Sequence, residues 1–377
     1  MENFTQNAVE ESASPAIPTA DQKRKSLYVS YVRALAACAV VQMHTNGAYL
    51  YEFDPARPTD PLFVTANIFY SLLRWATPFF IMISGAMLIR PHSTETTETF
   101  LLKRLQRVVA PFALWGVVYL LYPIRFDIIN GTPINWPRMW QSLFYEDIYF
   151  HLWFIPMIAG MYLLTPVLQV FTRTASRREL EYLLAVIFIS NAGHHFLPNI
   201  LIIKHFSWLG YLGYYLLGYY LHMYAISLSW KKILYPLAIL MPVVNALGTW
   251  WLTVQKGQYD EKLFVYASPT VLITTAALFL YLREMDWEAF ALRNPRVHRG
   301  VMFIAGIGFG IYFVHPVLLD MLKNGYIFVY SVSPKDFFGI AMHPAIAGLL
   351  VSSIAFLLSI LVITLMGKSP LLKKWMM

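Results

Sequence analysis

Arg33 and His44 bracket the segment "RALAACAVVQMH", which opens the first long apolar stretch of the chain. At about 100° per residue, eleven residues make three turns plus roughly 20°, so both side chains leave one helix face, about 16 Å apart along its axis. Ionisable groups are costly in such a segment and mark functional sites when they occur there. A guanidinium at one end of the stripe suits an anionic ligand, and an imidazole at the other suits proton transfer. Taken singly, each has a plainer reading: Arg33 as a snorkelling anchor, His44 as a hydrogen-bonded packing residue. Their shared stripe favours chemistry.

Further candidates follow along the chain. "RWATPFFIMISGAML" (74–88) carries Arg74 deep in an apolar run, with Pro78 opening the backbone and Ser84-Gly85 allowing close helix contact. "KRLQRVVAP" (103–111) places Arg104 and Arg107 at i,i+3 on one face, with Lys103 beside them, as a clamp for phosphates. "HLWFIPMIAGMYLLTP" (151–166) brings His151 and Trp153 just after Glu146 and Asp147, and "GFGIYFVHP" (308–316) brings His315. By depth, His44, Arg74, His151 and His315 fall in one layer. Glu146, Asp147 and Asp54 are the candidates for orienting the His44 ring. His194, His195 and His205 read as solvated or interfacial, and Cys38 as a small hydrophobe.

The elements that must position these groups are apolar runs of about 18–25 residues, the length that crosses roughly 30 Å of hydrocarbon. Ten spans are expected, at 28–50, 64–89, 108–128, 149–171, 180–200, 206–228, 233–253, 264–283, 301–321 and 340–366. Of the 29 Lys and Arg residues, 19 fall on the side of both termini and eight on the other, with Arg33 and Arg74 inside spans. The positive-inside bias therefore puts both termini in the cytoplasm. The fold class is an all-α integral membrane protein. Residues 1–26 read as a disordered cytoplasmic tail, 27–367 as one ten-helix domain and 368–377 as a short basic end. Span 180–200 is the weakest, because "NAGHHFLPN" interrupts it.

Composition agrees. The chain is 58% hydrophobic and only 13% charged, with 11 Trp and 24 Tyr available for interfacial belts. A net charge of +8 would suit nucleic acid if gathered in one patch, but it is spread over many short loops. A single cysteine excludes an internal disulfide and a cysteine-built zinc site. No P-loop, dinucleotide fingerprint, zinc signature or serine elbow is present, so no metal or bound cofactor is expected.

The ordered set resembles the membrane-bound acyltransferase family three, whose members O-acylate surface sugars. The likeness rests on the R-x10-H stripe from Arg33 to His44, "TPFFIMISGAML", the Arg104/Arg107 pair, "HLWFI", "LLGYYL" at 216–221 and "GIYFVHP". It spans nearly the whole chain. The 151–166 segment looks most like the subgroup containing the enterobacterial common antigen O-acetyltransferase. One departure is local: the family commonly has a serine before its G-I-Y-L-x-H segment, where this chain reads "GIGFGIYFVHP".

The resemblance implies a bacterial inner-membrane O-acyltransferase that uses acetyl-CoA or another acyl-CoA as co-substrate. Its acceptor would be a sugar hydroxyl of an envelope glycan or lipid-linked precursor, and its partners would include membrane lipids and no nucleic acid. His44, Arg33, Arg74 and His315 are then the catalytic group. Lys103, Arg104 and Arg107 bind the donor, and His151, Trp153, Glu146 and Asp147 stand on the acceptor side. His44 would take the hydroxyl proton and Arg74 would stabilise the oxyanion, by direct transfer or through an acyl-histidine. The acyl group, acetyl or succinyl, is not set by the sequence. A polysaccharide exporter is the competing reading; the chain shows no internal repeat, and its charges cluster by depth instead of lining a path.

Overall fold

The computed structural model describes residues 20–144, 148–197 and 209–369. Among the described residues the protein is helical, without a strand. Seven segments are long and apolar enough to cross a membrane: Pro61–Leu88, Thr97–Leu121, Phe154–Thr174, Leu228–Lys256, Lys262–Glu284, Pro295–Lys323 and Pro344–Met366. The other three expected spans fall on helices that do not meet that description. They are α1 (Ala20–Gly47), whose apolar run is diluted by Arg33, Gln42 and His44, the more polar α8 (Arg177–Phe196), and the 14-residue α9 (Gly210–Met223).

Helix α1 begins at Ala20, so residues 20–26 extend it where a disordered tail was expected. Residues 1–19 and 370–377 lie outside the described residues, as do Glu146, Asp147 and His205. His194 and His195 differ from expectation. They occupy the last turn of α8 instead of a loop, and His195 is buried.

The first apolar segment is two helices, α2 (Pro61–Leu73) and α3 (Ala76–Leu88), and the break falls at Arg74 and Trp75. Pro78 is the cause. It has no N–H to offer the carbonyl four residues back, which belongs to Arg74, and its ring crowds that carbonyl. Helix α4 (Thr97–Leu121) is followed by the short α5 (Ile124–Asn130) and α6 (Trp136–Phe144), then by α7 (Phe154–Thr174). After α8 and α9 come α10 (Leu228–Lys256), α11 (Pro269–Glu284), α12 (Trp287–Arg293), α13 (Pro295–Lys323) and α14 (Pro344–Met366).

Helix α1 is the hub. It packs on α2, α3, α11, α12, α13 and α14, and Val32 and Ala36 have no exposed surface. Gln42 accepts a hydrogen bond from the Ser352 hydroxyl, tying α1 to α14. Cys38, by contrast, is exposed on the outer surface of this helix.

Lipid offers no hydrophobic drive for helix pairing, so close contact depends on small residues. The α3–α9 crossing shows this. A Cβ added to Gly85 would collide with the Tyr215 carbonyl, and one added to Gly218 with the Met82 carbonyl. Gly85 and Gly218 are thus backbone-contact positions, whereas Gly213 lies against the Ile187 and Phe188 side chains of α8. At the site of the family departure, Gly310 lies against Ile363 of α14, and an added Cβ at Gly308 would touch Ala37 of α1.

Candidate active site

The two ends of the α1 stripe open into different cavities. His44 lines a cavity of about 700 Å³ walled by aromatic residues, including Tyr49, Tyr70, Phe150, Trp153 and Tyr266, together with Arg74, Asp320 and Lys323. Arg33 lines a second cavity of about 230 Å³ with Arg104, Arg107, Ser84 and Tyr162. A chamber of about 30 Å³ lies between them. It shares His44, Trp153 and Tyr266 with the aromatic cavity, and Phe80, Phe154 and Tyr312 with the arginine cavity. Arg33, Val40 and His44, at helical spacing on one stripe, contribute one after another to the arginine cavity, the chamber and the aromatic cavity.

His44 is held by His315. His44 Nδ1 and His315 Nε2 are 2.8 Å apart, the two rings stack at 5.1 Å, and His315 Nδ1 lies 2.9 Å from the Ile311 carbonyl oxygen. A carbonyl can only accept, so His315 donates from Nδ1. In the uncharged pair His315 Nε2 then carries a lone pair, and His44 Nδ1 must donate to it. That leaves His44 Nε2 deprotonated and without a partner among the described residues. An imidazole fixed in this tautomer is a ready proton acceptor. His315 itself has no exposed surface, as suits a residue that acts through its neighbour.

Among the described residues His315 is the group that holds the His44 ring. Asp54 is engaged elsewhere: it accepts from Arg57 Nε at 3.0 Å, and that bond holds its carboxyl below the usual range. Glu146 and Asp147 lie outside the described residues.

Arg74 is positioned by the break in its helix. Nε donates to the Phe264 carbonyl at 2.5 Å and Nη1 to the Tyr70 hydroxyl at 3.0 Å. The guanidinium lies 3.9 Å over the Tyr266 ring, an attractive cation–π geometry. Arg74 and His44 thus face one cavity from different helices. Tyr70, Phe264 and Tyr266 could not be singled out from sequence. Tyr70 comes from α2 and the other two from the short stretch before α11, and none carries a motif.

Among the described residues three arginines and no carboxylate line the smaller cavity, which gives it a strongly positive field. Arg104 Nε is buried and has no partner among the described residues, while Arg104 Nη2 lies 3.8 Å from Glu95 Oε2. Lys103 is not brought to this cavity. Its ammonium points away to Glu95 at 2.9 Å and, through that bond, keeps the Glu95 carboxyl below its usual range. Spacing alone does not separate them, since Lys103 is i,i+4 to Arg107 as Arg104 is i,i+3; the Glu95 carboxylate, in the loop before α4, draws the Lys103 ammonium away.

His151 and Trp153 stand in the turn before α7. Trp153 borders both the chamber and the aromatic cavity, whereas His151 lines only the chamber. His151 is buried within 5.9 Å of the His315 ring, centroid to centroid. The four groups placed in one layer by depth do converge laterally: a bonded His44–His315 pair, His151 beside it, and Arg74 across the cavity. No cluster of metal-ligating side chains occurs among the described residues.

A cationic cavity and an aromatic one thus stand at the two ends of the α1 stripe, with the His44–His315 pair at the aromatic end. No curated protein and no solved structure matches the chain. A family description does: the acyltransferase domain matches residues 26–367, a range that contains every residue lining the three voids. The protein is thus a multi-pass membrane acyltransferase, and the chain belongs to acyltransferase family 3.

Proposed function

We propose that the protein is an O-acetyltransferase of the bacterial inner membrane. It moves an acetyl group from cytoplasmic acetyl-CoA to a sugar hydroxyl of an envelope polysaccharide or its lipid-linked precursor. The observation that carries this reading is His44, held by His315 with Nε2 unbonded, standing between a cavity for anions and a cavity for a larger, ring-bearing ligand. The basic residues on the side of the termini support a cytoplasmic arginine cavity, where Arg33, Arg104 and Arg107 meet CoA phosphates. The aromatic cavity has the size of a small-molecule site, and its rings suit the C–H faces of a sugar. The likeness of segment 151–166 to the enterobacterial common antigen subgroup belongs to the same reading.

The proposed step is direct transfer. His44 Nε2 takes the hydroxyl proton as the sugar oxygen bonds to the thioester carbonyl carbon. The carbonyl electrons move onto oxygen, and Arg74, with Nη2 not used in its bonds to Phe264 and Tyr70, faces the developing charge. Collapse breaks the carbon–sulfur bond, and the thiolate takes the proton back from His44. The products are the sugar ester and free CoA. Positioned proton transfer of this kind contributes about 10²–10⁴-fold.

The test is glycan O-acetyl content in a strain lacking the gene, with and without restoration. The expected result is a polymer that persists without acetyl groups and regains them with the gene. Disappearance of the polymer itself would favour an exporter. For donor binding, Arg104→Ala is expected to weaken acetyl-CoA affinity of the purified protein by about tenfold, one charge-assisted contact. Unchanged affinity would leave Arg104 a topology signal only.

A further inference from the structure

The central chamber is small, apolar for most of its wall, and placed where donor and acceptor must meet. Val40, Thr77, Phe80 and Phe154 bound it, with His44 and His151 contributing imidazoles. We propose that this chamber is the acyl pocket, that its walls admit an acetyl group and reject longer or charged acyl groups, and that His151 donates a hydrogen bond to the acyl carbonyl held there. This rests on the acetyl-transfer reading and supplies the acyl-group ruler that the sequence lacks.

Size is the first argument. About 30 Å³ between the two larger cavities is room for roughly two waters, comparable to a two-carbon acyl group. Lengthening the chain presses on Phe80 and Phe154, which pack edge-to-face at 6.4 Å, and Phe154 in turn lies 5.8 Å from the Tyr312 ring. Such interlocked rings have little room to move. Charge is the second argument. Among the described residues no Lys or Arg lines the chamber, so a succinyl carboxylate held within it would lose water without gaining a cation.

The third argument is an unspent donor. Among the described residues both ring nitrogens of His151 are buried without a partner. A neutral imidazole always carries one N–H. The Tyr312 hydroxyl donates to the His151 carbonyl oxygen at 2.5 Å, which fixes the backbone beneath the ring. A thioester carbonyl at the boundary that the chamber shares with the aromatic cavity, marked by Tyr266 under Arg74, gives that N–H its acceptor beside the base that drives the attack.

Membranes containing the full chain, supplied with acetyl-, butyryl- or succinyl-CoA, test this by mass spectrometry of esters on the endogenous glycan. The wild type is expected to prefer acetyl over butyryl by at least about tenfold and to transfer no succinyl. Phe80→Ala should raise the butyryl-to-acetyl ratio about tenfold and still not use succinyl. His151→Leu should lower kcat for every acyl-CoA about tenfold, with KM and the acyl ratio unchanged. If Phe80→Ala does not accumulate, Val40→Ala reports the same ratio. Equal use of butyryl by the wild type, use of succinyl, or a ratio unmoved in a stable variant overturns the acyl-pocket assignment and leaves acetyl transfer standing. An unchanged kcat in His151→Leu removes the donor role. A wild type that transfers no acyl group from any of the three removes both readings.

Discussion

His44→Ala is expected to abolish acetylation of the envelope glycan, lowering kcat by about 10²–10⁴-fold, while the protein still accumulates in the membrane and still binds acetyl-CoA. The separation of effects follows from the cavities. In the proposed mechanism donor binding falls to Arg33, Arg104 and Arg107, which share no void with His44, and proton removal to the unbonded His44 Nε2. Truncation takes away the base without touching the arginine cavity. Membrane level by immunoblot, acyl-CoA affinity by isothermal titration and glycan acetyl content form the necessary trio of measurements. Near-normal acetylation in a well-expressed variant would remove His44 from the mechanism.

His315 should follow a different pattern. His315→Ala takes away the acceptor for His44 Nδ1–H, so the ring is no longer confined to the tautomer with a bare Nε2. We expect kcat to fall on the order of 10²-fold with KM for acetyl-CoA little changed, because the base remains but is correctly protonated and aimed only part of the time. His315→Gln is the informative companion. Its amide oxygen can accept from Nδ1–H, and it should recover a substantial part of the loss. A residue that only filled space would not rank Gln above Ala in kcat at equal thermal stability. If the two variants are equally active once stability is matched, His315 is packing and the tautomer argument fails.

Much of the site was legible before any coordinates. Helical periodicity alone places Arg33 and His44 on one stripe, because 3.6 residues per turn holds wherever a helix forms. The Arg104–Arg107 pair follows from the same rule, and Pro78 marks the break that frees Arg74 because proline has no N–H. Lys103 shows the limit of this reasoning. Adjacent in sequence to Arg104, it points toward Glu95, and the preference for one side or the other depends on a loop residue outside its helix. The polar α8 and short α9 mark a similar limit for the spans, since length and hydropathy do not qualify them.

The sequence by itself determined a helical membrane protein, the depth of its ionisable residues, and the stripe that joins a cation to an imidazole. Those features follow from local periodicity and transfer energetics, which each segment carries on its own. The tertiary structure decided what touches what. It paired His44 with a histidine 271 positions away, stacked Arg74 on Tyr266, and left a small chamber between the two larger cavities. Depth is a one-dimensional quantity, but lateral neighbours depend on which helix faces meet, and those are set by backbone contacts such as Gly85 on Tyr215 and Gly218 on Met82.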